Sequence, residues 1–199
     1  TLDPDAGLSG TGFAYTNGFG GTAIRELVDT YVAPLVIGRD PVDVEQIWRG
    51  CWWELHSLGS GGMTRFAVAS VDIALWDILA QHAQVPLYKF LGGTRDRIPA
   101  YASAINMHLD GEPLLDQMRG FVEQGYRAVK MKVGRENPAE DVERVGSVRS
   151  VIGPGTKLML DVNQAWTAGE AIRRTTLLRP FDPFWLEEPV LADDRHGHV

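Results

Sequence analysis

The sequence contains few of the features that mark several common classes of protein. Its single cysteine, Cys51, excludes an internal disulfide and a zinc site built from cysteines. Lysine and arginine form no cluster, and the net charge is −7, so we expect neither a nucleic acid nor an anionic membrane as partner. No apolar run approaches the roughly 20 residues that span a bilayer, and the first residues do not resemble a signal peptide. Together with the scarcity of cysteine, this predicts a cytoplasmic protein.

The sequence is nevertheless suited to folding, because 44% of its 199 residues are hydrophobic. The amino-terminal part predicts a hairpin within residues 1–16, with a turn at residues 3–7 and a strand at residues 12–16. Helical patterns follow at about residues 22–36, 41–57 and 64–82. The second pattern opens at Asp40-Pro41, a typical helix start, and the third is apolar enough to predict a largely buried helix.

After residue 97 the pattern changes to an alternation of strands and helices. Strands are predicted at 98–103, 127–133, 157–162 and 184–187, and helices at about 112–123, 139–151 and 168–178. Such repeats indicate a parallel sheet, either an open doubly wound sheet or a (β/α)8 barrel. A whole barrel takes about 250 residues, so in the barrel interpretation these units form its first half.

The second predicted strand carries two lysines within the run AVKMKVG at 128–134. Side chains alternate along a strand, so Lys130 and Lys132 share one face, while Val129, Met131 and Val133 share the other. Two interpretations are open at this point. The lysines face water on a surface strand, or they line the inner face of a barrel that opens into an active site.

Polar residues also end the next two strands, in LDVNQ at 160–164 and LEEP at 186–189. Asp161 and Asn163 share a face by strand parity, and Glu187 ends the last strand. Each of these ends alone is typical of a turn or a solvated loop. Because the carboxyl ends of parallel strands lie at one edge of a sheet, three successive polar ends favour a shared site.

The chemistry of these side chains favours metal-assisted proton abstraction. Asp161 and Glu187 offer the hard oxygen ligands that Mg²⁺ prefers. A dication can hold a carboxylate substrate and neutralise the charge that builds when the adjacent proton is removed. The base must be a neutral amine, and nearby cations disfavour the protonated form. Lys132, nearer the carboxyl end, is the better base candidate, and Lys130 is better placed to neutralise the substrate carboxylate.

The runs AVKMKVG, LMLDVNQ at 158–164 and WLEEP at 185–189 resemble successive barrel motifs of the enolase superfamily. The resemblance is to its mandelate racemase and acid-sugar dehydratase branch, in which a lysine or histidine base works with Mg²⁺ as an established pattern. The runs DIALWD at 72–77 and PLYKFLGG at 86–93 resemble the end of that family's capping domain. The run DRHGH at 194–198 resembles the racemase and dehydratase branch more than the muconate-cycloisomerising one.

This resemblance implies an α/β protein with two domains. Residues 1–97 would form an α+β capping domain without its first strand. Residues 98–199 would form the first half of a (β/α)8 TIM-type barrel. The resemblance places the third acidic ligand and the catalyst for the opposite substrate face on later strands, outside this chain. The chain is therefore expected to be incomplete at both ends.

The resemblance also assigns roles to individual residues. Asp161 and Glu187 would be the metal ligands, Lys132 the base and Lys130 its assistant, with Asn163 a polar neighbour of the metal. Other residues are less specific. Ser103 resembles a contact to the substrate carboxylate and is equally a routine strand-end residue. Phe13 and Tyr15 resemble a loop that closes over substrate, or they belong to a core-packed hairpin. His196 and His198 are predicted to be solvated loop residues.

The expected reaction is Mg²⁺-dependent abstraction of the α-proton of a hydroxy carboxylate, an acid sugar, to give an enediolate. Loss of the β-hydroxyl as water then makes the protein an acid-sugar dehydratase. The alternatives are a racemase or epimerase that uses the same abstraction, and a non-catalytic barrel fragment. We expect a small-molecule carboxylate as partner and a homo-oligomeric assembly.

Overall fold

The computed structural model describes residues 1–4, 7–59 and 61–199. These residues divide into two compact units, Thr1–Asp96 and Arg97–Val199. The first unit is mainly helical, and the second alternates strands with helices. Among the described residues, no helix combines the length and the apolar character needed to cross a membrane.

The helices of the first unit agree with the predicted pattern. They are α1 (Gly21–Leu27), α2 (Ala33–Val36), α3 (Val44–Leu55), α4 (Met63–His82) and α5 (Leu87–Phe90). A π-helical turn, Val28–Val32, joins α1 to α2, and 3-10 turns at Pro41–Asp43 and His56–Leu58 flank α3. The Asp40 side chain accepts a hydrogen bond from the Val42 amide, as expected for a cap. Helix α4 contributes much of this unit's core, as its apolar sequence predicted.

The prediction of a hairpin strand at residues 12–16 is wrong. Leu2 and Gly10 form one antiparallel bridge, but residues 12–16 are not a strand. The chain lies against α4 instead, where a Cβ atom on Gly12 would stand 1.7 Å from the Ser70 carbonyl oxygen. Only glycine permits so close an approach of the two backbones.

Side-chain hydrogen bonds hold this segment on the helix. The Thr11 amide donates to Asp77, and Gln81 donates to the Ser9 carbonyl. Some of the backbone N–H and C=O groups that would have paired in a hairpin are thus hydrogen-bonded to side chains of α4 instead. The turn predicted at residues 3–7 includes Asp5 and Ala6, which lie outside the described residues.

The second unit contains a four-stranded sheet with one helix after each of the first three strands. The strands are β1 (Ala102–Ser103), β2 (Ala128–Lys132), β3 (Lys157–Asp161) and β4 (Pro183–Glu187). The helices are α6 (Gly111–Glu123), α7 (Pro138–Ile152) and α8 (Ala168–Leu178). All neighbouring strands are parallel, in the order β1-β2-β3-β4. This confirms the predicted α/β fold with a parallel sheet, and the sequential strand order agrees with the barrel interpretation.

Strand β1 is shorter than the predicted strand 98–103. Pro99 has no backbone N–H to donate to a ladder, and Ile98 is exposed. The three helices begin and end close to the predicted positions. The side chains of Asn137 and Thr167 cap α7 and α8 by accepting amide hydrogen bonds in the first turn.

The core of the second unit lies between the sheet and its helices. Val129, Met131 and Val133 are fully buried there, as strand parity predicted. Lys130, on the opposite face of β2, is also buried, with 8% of its surface exposed. The interpretation of β2 as a surface strand with solvated lysines is therefore wrong.

Candidate active site

The parallel register places a lysine and two carboxylates side by side on three strands. Lys132 of β2 pairs with Asp161 of β3, and Asp161 pairs with Glu187 of β4. One step earlier along the strands, Ser103 pairs with Lys130. Since paired residues in a sheet point to the same face, these polar side chains share the inner face at the carboxyl edge.

A shift in register gives Glu187 its orientation. Between β3 and β4, Leu158 pairs with Pro183, but Met159 pairs with Trp185. Phe184 is therefore an extra residue on β4, as in a β-bulge. If Phe184 were paired in a regular ladder, Leu186 would pair with Asp161 and Glu187 would point to the opposite face, since a one-residue slip exchanges the two faces.

The charged side chains of this site form a compact network, which we call the lysine–carboxylate cluster: Lys130, Lys132, Asp161 and Glu187. Lys132 Nζ lies 2.6 Å from Asp161 Oδ2, and Lys130 Nζ lies 3.2 Å from the same oxygen. Lys130 Nζ also lies 2.7 Å from Glu187 Oε1. The exposed fractions of the Lys130, Lys132 and Asp161 side chains are only 11%, 15% and 3%. Two positive and two negative groups are thus paired in a largely buried place.

The pairing changes the proton affinity of the cluster. Burial alone would lower the pKa of Lys130, but hydrogen bonds to Glu187 and Asp161 outweigh it and raise that pKa to about 12. Burial alone would raise the pKa of Asp161, yet hydrogen bonds from Lys132 and Lys130 hold it below its ordinary value. For Lys130, the carboxylates therefore reverse the predicted preference for a neutral amine.

Two further predicted residues lie beside the cluster. Asn163 follows the end of β3 with a positive φ of 51°, so strand parity no longer sets its direction. Its amide nitrogen donates to Asp161 Oδ1, and its side chain lies 3.4 Å from Glu188 Oε2. Ser103 is exposed and ends β1 beside Lys130.

The remaining candidates lie in loops. Phe13 and Tyr15 belong to the first unit and expose 69% and 74% of their surfaces, so the core-packed alternative for them is wrong. His196 and His198 are exposed, as predicted for solvated loop histidines.

Sequence reasoning missed three residues that contact the cluster lysines. Tyr101 places its ring under Lys130, with 5.6 Å from Nζ to the ring centre. Asn106 and Arg144 bond the backbone of Lys132. Arg144 occupies the same helical face of α7 as Val145 and Val148, and an arginine on an apolar face is a signal for such a role, whereas Asn106 lies in a loop without a recognisable pattern.

The donor set of the cluster fits part of a magnesium site. Asp161 and Glu187 are hard oxygen donors on adjacent strands, and both already accept hydrogen bonds from ammonium groups. Within residues 1–4, 7–59 and 61–199, no group of three or more acidic, histidine or cysteine side chains is arranged to hold a metal ion. The described residues thus supply two carboxylates and no complete ligand set.

Four sequential parallel strands, with a helix after each of the first three and charged side chains at the carboxyl ends of β2, β3 and β4, are typical of the class of (β/α)8-barrel proteins. Two family models refine this class. "Mandelate racemase / muconate lactonizing enzyme, N-terminal domain" matches residues 1–92, and "Enolase C-terminal domain-like" matches residues 113–199. The chain belongs to the enolase superfamily, in its mandelate racemase / muconate lactonizing enzyme branch.

Curated relatives and solved structures support this assignment. A 3,6-anhydro-alpha-L-galactonate cycloisomerase from Streptomyces coelicolor is 41% identical over 100% of this chain and 55% of its own length. An L-talarate/galactarate dehydratase from Salmonella typhimurium is 36% identical over 97% of this chain and 48% of its own length. The crystal structure of a racemase from Streptomyces coelicolor with bound magnesium is 41% identical, with a TM-score of 0.94 over 98% of this chain and 58% of that one. The chain spans about half the length of the curated relatives it matches.

Proposed function

We propose that this chain forms part of a Mg²⁺-dependent enzyme that removes the α-proton of an acid-sugar carboxylate and then eliminates water. The observation that carries this proposal is the row of Lys132, Asp161 and Glu187 at matching positions of three adjacent strands. It combines a candidate base with two oxygen ligands at the edge where barrel enzymes hold their sites.

Each cluster residue has a proposed role. The Lys132 amine accepts the α-proton at Nζ, and the Lys130 ammonium group neutralises the substrate carboxylate. The raised pKa of Lys130 supports this division, because Lys130 stays charged at neutral pH. Ser103 contacts the substrate carboxylate, and Asn163 is a polar neighbour of the metal. Phe13 and Tyr15, both exposed, are proposed to close over the substrate.

Asp161 and Glu187 are the residues that would hold Mg²⁺. When bound, Mg²⁺ supplies neutralisation of the negative charge that develops on the substrate carboxylate. The lysines compete for the same oxygens, because Asp161 Oδ2 accepts from both Lys132 and Lys130. Release of Lys132 from Asp161 is therefore required before its amine can act as a base.

The substrate class is supported by the names of the relatives. Besides the two described above, an arabinonate dehydratase from Saccharolobus solfataricus is 30% identical over 86% of this chain. The cycloisomerase and both dehydratases are named for sugar acids, which supports a sugar acid as the substrate. The 41% identity to a cycloisomerase favours isomerisation as a second candidate, with the same proton abstraction and no loss of water.

The test is incubation of the full-length protein with Mg²⁺ and galactarate, arabinonate or 3,6-anhydro-α-L-galactonate in D2O. A 2-keto-3-deoxy product, which lacks one water and carries solvent deuterium on the carbon next to the keto group, supports dehydration. Deuterium in a product of unchanged composition supports the isomerase. Absence of exchange and product with all three acids would contradict both and favour the non-catalytic alternative.

Other expectations stay predictions. Residues 1–97 are proposed as the capping domain and residues 98–199 as the half-barrel. A cytoplasmic location and a homo-oligomeric assembly are proposed from the sequence alone, and sedimentation of the full-length protein would measure the second.

A further inference from the structure

The backbone of Lys132 lies at a place where the sheet ladder has stopped on one side. Strand β1 ends at Ser103, which pairs with Lys130. The amide of Val133, the residue that follows β2, donates to the Asp161 carbonyl on β3. Because backbone groups alternate in direction along a strand, the N–H and C=O of Lys132 point to the β1 side, beyond the end of β1.

Two side chains take the place of the missing strand, and we call this pair the Lys132 clamp: Asn106 and Arg144. Asn106 Oδ1 accepts a hydrogen bond from the Lys132 amide at 2.9 Å. Arg144 Nη1 donates to the Lys132 carbonyl oxygen at 2.9 Å. Arg144 Nη2 also donates to the Asn106 carbonyl at 3.0 Å, which ties the two members together.

The clamp is itself buried and held from several sides. Asn106 is 0% exposed and Arg144 is 5% exposed. Asn106 Nδ2 donates to Gln117 of α6, and Arg144 Nε donates to the Leu109 carbonyl. Asp141, on the same helix as Arg144, lies 3.5 Å from Arg144 Nη1. A guanidinium group in so dry a place needs these acceptors, so its position is closely defined.

We propose that Asn106 and Arg144 are positioning residues that hold the backbone of Lys132 so that its amine meets the substrate. This inference rests on the proposed function, in which Lys132 is the base. The clamp fixes the Cα atom from which the Lys132 side chain extends, while Asp161 and Lys130 surround its tip. Displacement of a reacting group by about 1 Å can reduce a rate about 100-fold, so loss of the clamp should affect turnover more than binding.

Helix α7 offers a matched control in Arg149. This arginine also donates to backbone carbonyls, those of Gly153, Thr156, Phe181 and Asp182. These acceptors precede β3 and β4, at the amino ends of the strands. Replacement of Arg149 therefore removes a similar number of hydrogen bonds, most of them part-buried, without touching the cluster.

The experiment compares Arg144→Met, Asn106→Leu and Arg149→Met in the full-length protein. Two quantities are measured: kcat and KM for turnover of galactarate in D2O, and hydrogen exchange of the Lys132 backbone amide. For both clamp variants we expect kcat to fall about 10- to 100-fold, with KM within about threefold of the wild type. Protection of the Lys132 amide should fall at least about 10-fold. Arg149→Met should lower stability but leave both quantities unchanged at temperatures where it is folded.

A further variant covers the case in which Arg144→Met does not fold. Asn106→Asp keeps an oxygen acceptor for the Lys132 amide and should restore its protection relative to Asn106→Leu. Equal losses of kcat in Arg149→Met and the clamp variants would overturn the positioning role. So would an unchanged Lys132 amide in Asn106→Leu. Absence of both product and exchange in the wild type would contradict the proposed function instead, and the amide measurement would then decide whether the clamp holds Lys132.

Discussion

Replacement of Asp161 by asparagine tests the charge balance of the lysine–carboxylate cluster. In the wild type two ammonium groups face two carboxylates, and the Asp161 side chain is 3% exposed. Asp161→Asn leaves one positive charge without a partner, mainly at Lys132, whose nitrogen lies 2.6 Å from Asp161 Oδ2. The substituted amide has almost the same shape, so the loss of charge is the main change.

The size of the effect follows from burial. Removing one partner of a buried ion pair typically destabilises a protein by about 3–5 kcal/mol. Glu187 remains as a partner for Lys130 and is 33% exposed, so water reaches part of the cluster. We therefore expect the lower end, about 3 kcal/mol in the free energy of unfolding. Adding Lys132→Met removes the surplus charge and should recover about 1–2 kcal/mol of the free energy of unfolding, because the effects of substitutions at contacting residues are not additive.

The assay is urea unfolding of the wild type, both single variants and the double variant, in EDTA so that no divalent cation replaces the lysines. The reasoning would be refuted if Lys132→Met destabilised the Asp161→Asn variant by the same amount as it destabilises the wild type. That result would mean that the two side chains do not interact in the folded protein.

Three further predictions concern the same site. Inserting one alanine after Trp185 should pair Leu186 with Asp161, turn Glu187 away and weaken Mg²⁺ binding at least about 10-fold by calorimetry, whereas deleting the extra residue Phe184 keeps the pairing and should not; equal binding would contradict the register argument. Lys130→Met removes a competing cation and should tighten Mg²⁺ binding about 10-fold; weaker binding would contradict the competition. The lowered pKa of Asp161 stabilises the fold above its ordinary value of 3.8, and this contribution is lost as pH falls through the folded pKa. The stability gap between wild type and Asp161→Asn should therefore narrow as pH falls below 3.8 in urea titrations, and a constant gap would contradict it.

The elements that repeat along the chain were predictable because their signals are local. Helix caps, strand alternation and the spacing of the βα units depend on neighbouring residues, and the parallel sheet and the shared edge for Lys132, Asp161 and Glu187 followed from them. The amino-terminal strand failed because Gly10 and Gly12 pack on α4, a contact between residues about 60 positions apart in sequence. No local pattern reports such a contact.

The details of the site depend on three-dimensional arrangement in the same way. The bulge at Phe184 has no sequence pattern that marks it, yet it decides the face of Glu187. The hydrogen bonds of Asn106 link a loop to the end of β2, across 26 residues of sequence. The pKa of Lys130 was predicted in the wrong direction, because the sequence pairs the two lysines while the fold surrounds Lys130 with carboxylates.

The most direct test of the proposed function is α-hydrogen exchange by Lys132→Met in the full-length protein. With an acid sugar that the wild type deuterates in D2O, the variant should lose exchange by at least about 1,000-fold while its unfolding midpoint and Mg²⁺ binding remain measurable. Exchange at the wild-type rate in a folded Lys132→Met variant would show that another group removes the proton, and would contradict the assignment of Lys132 as the base.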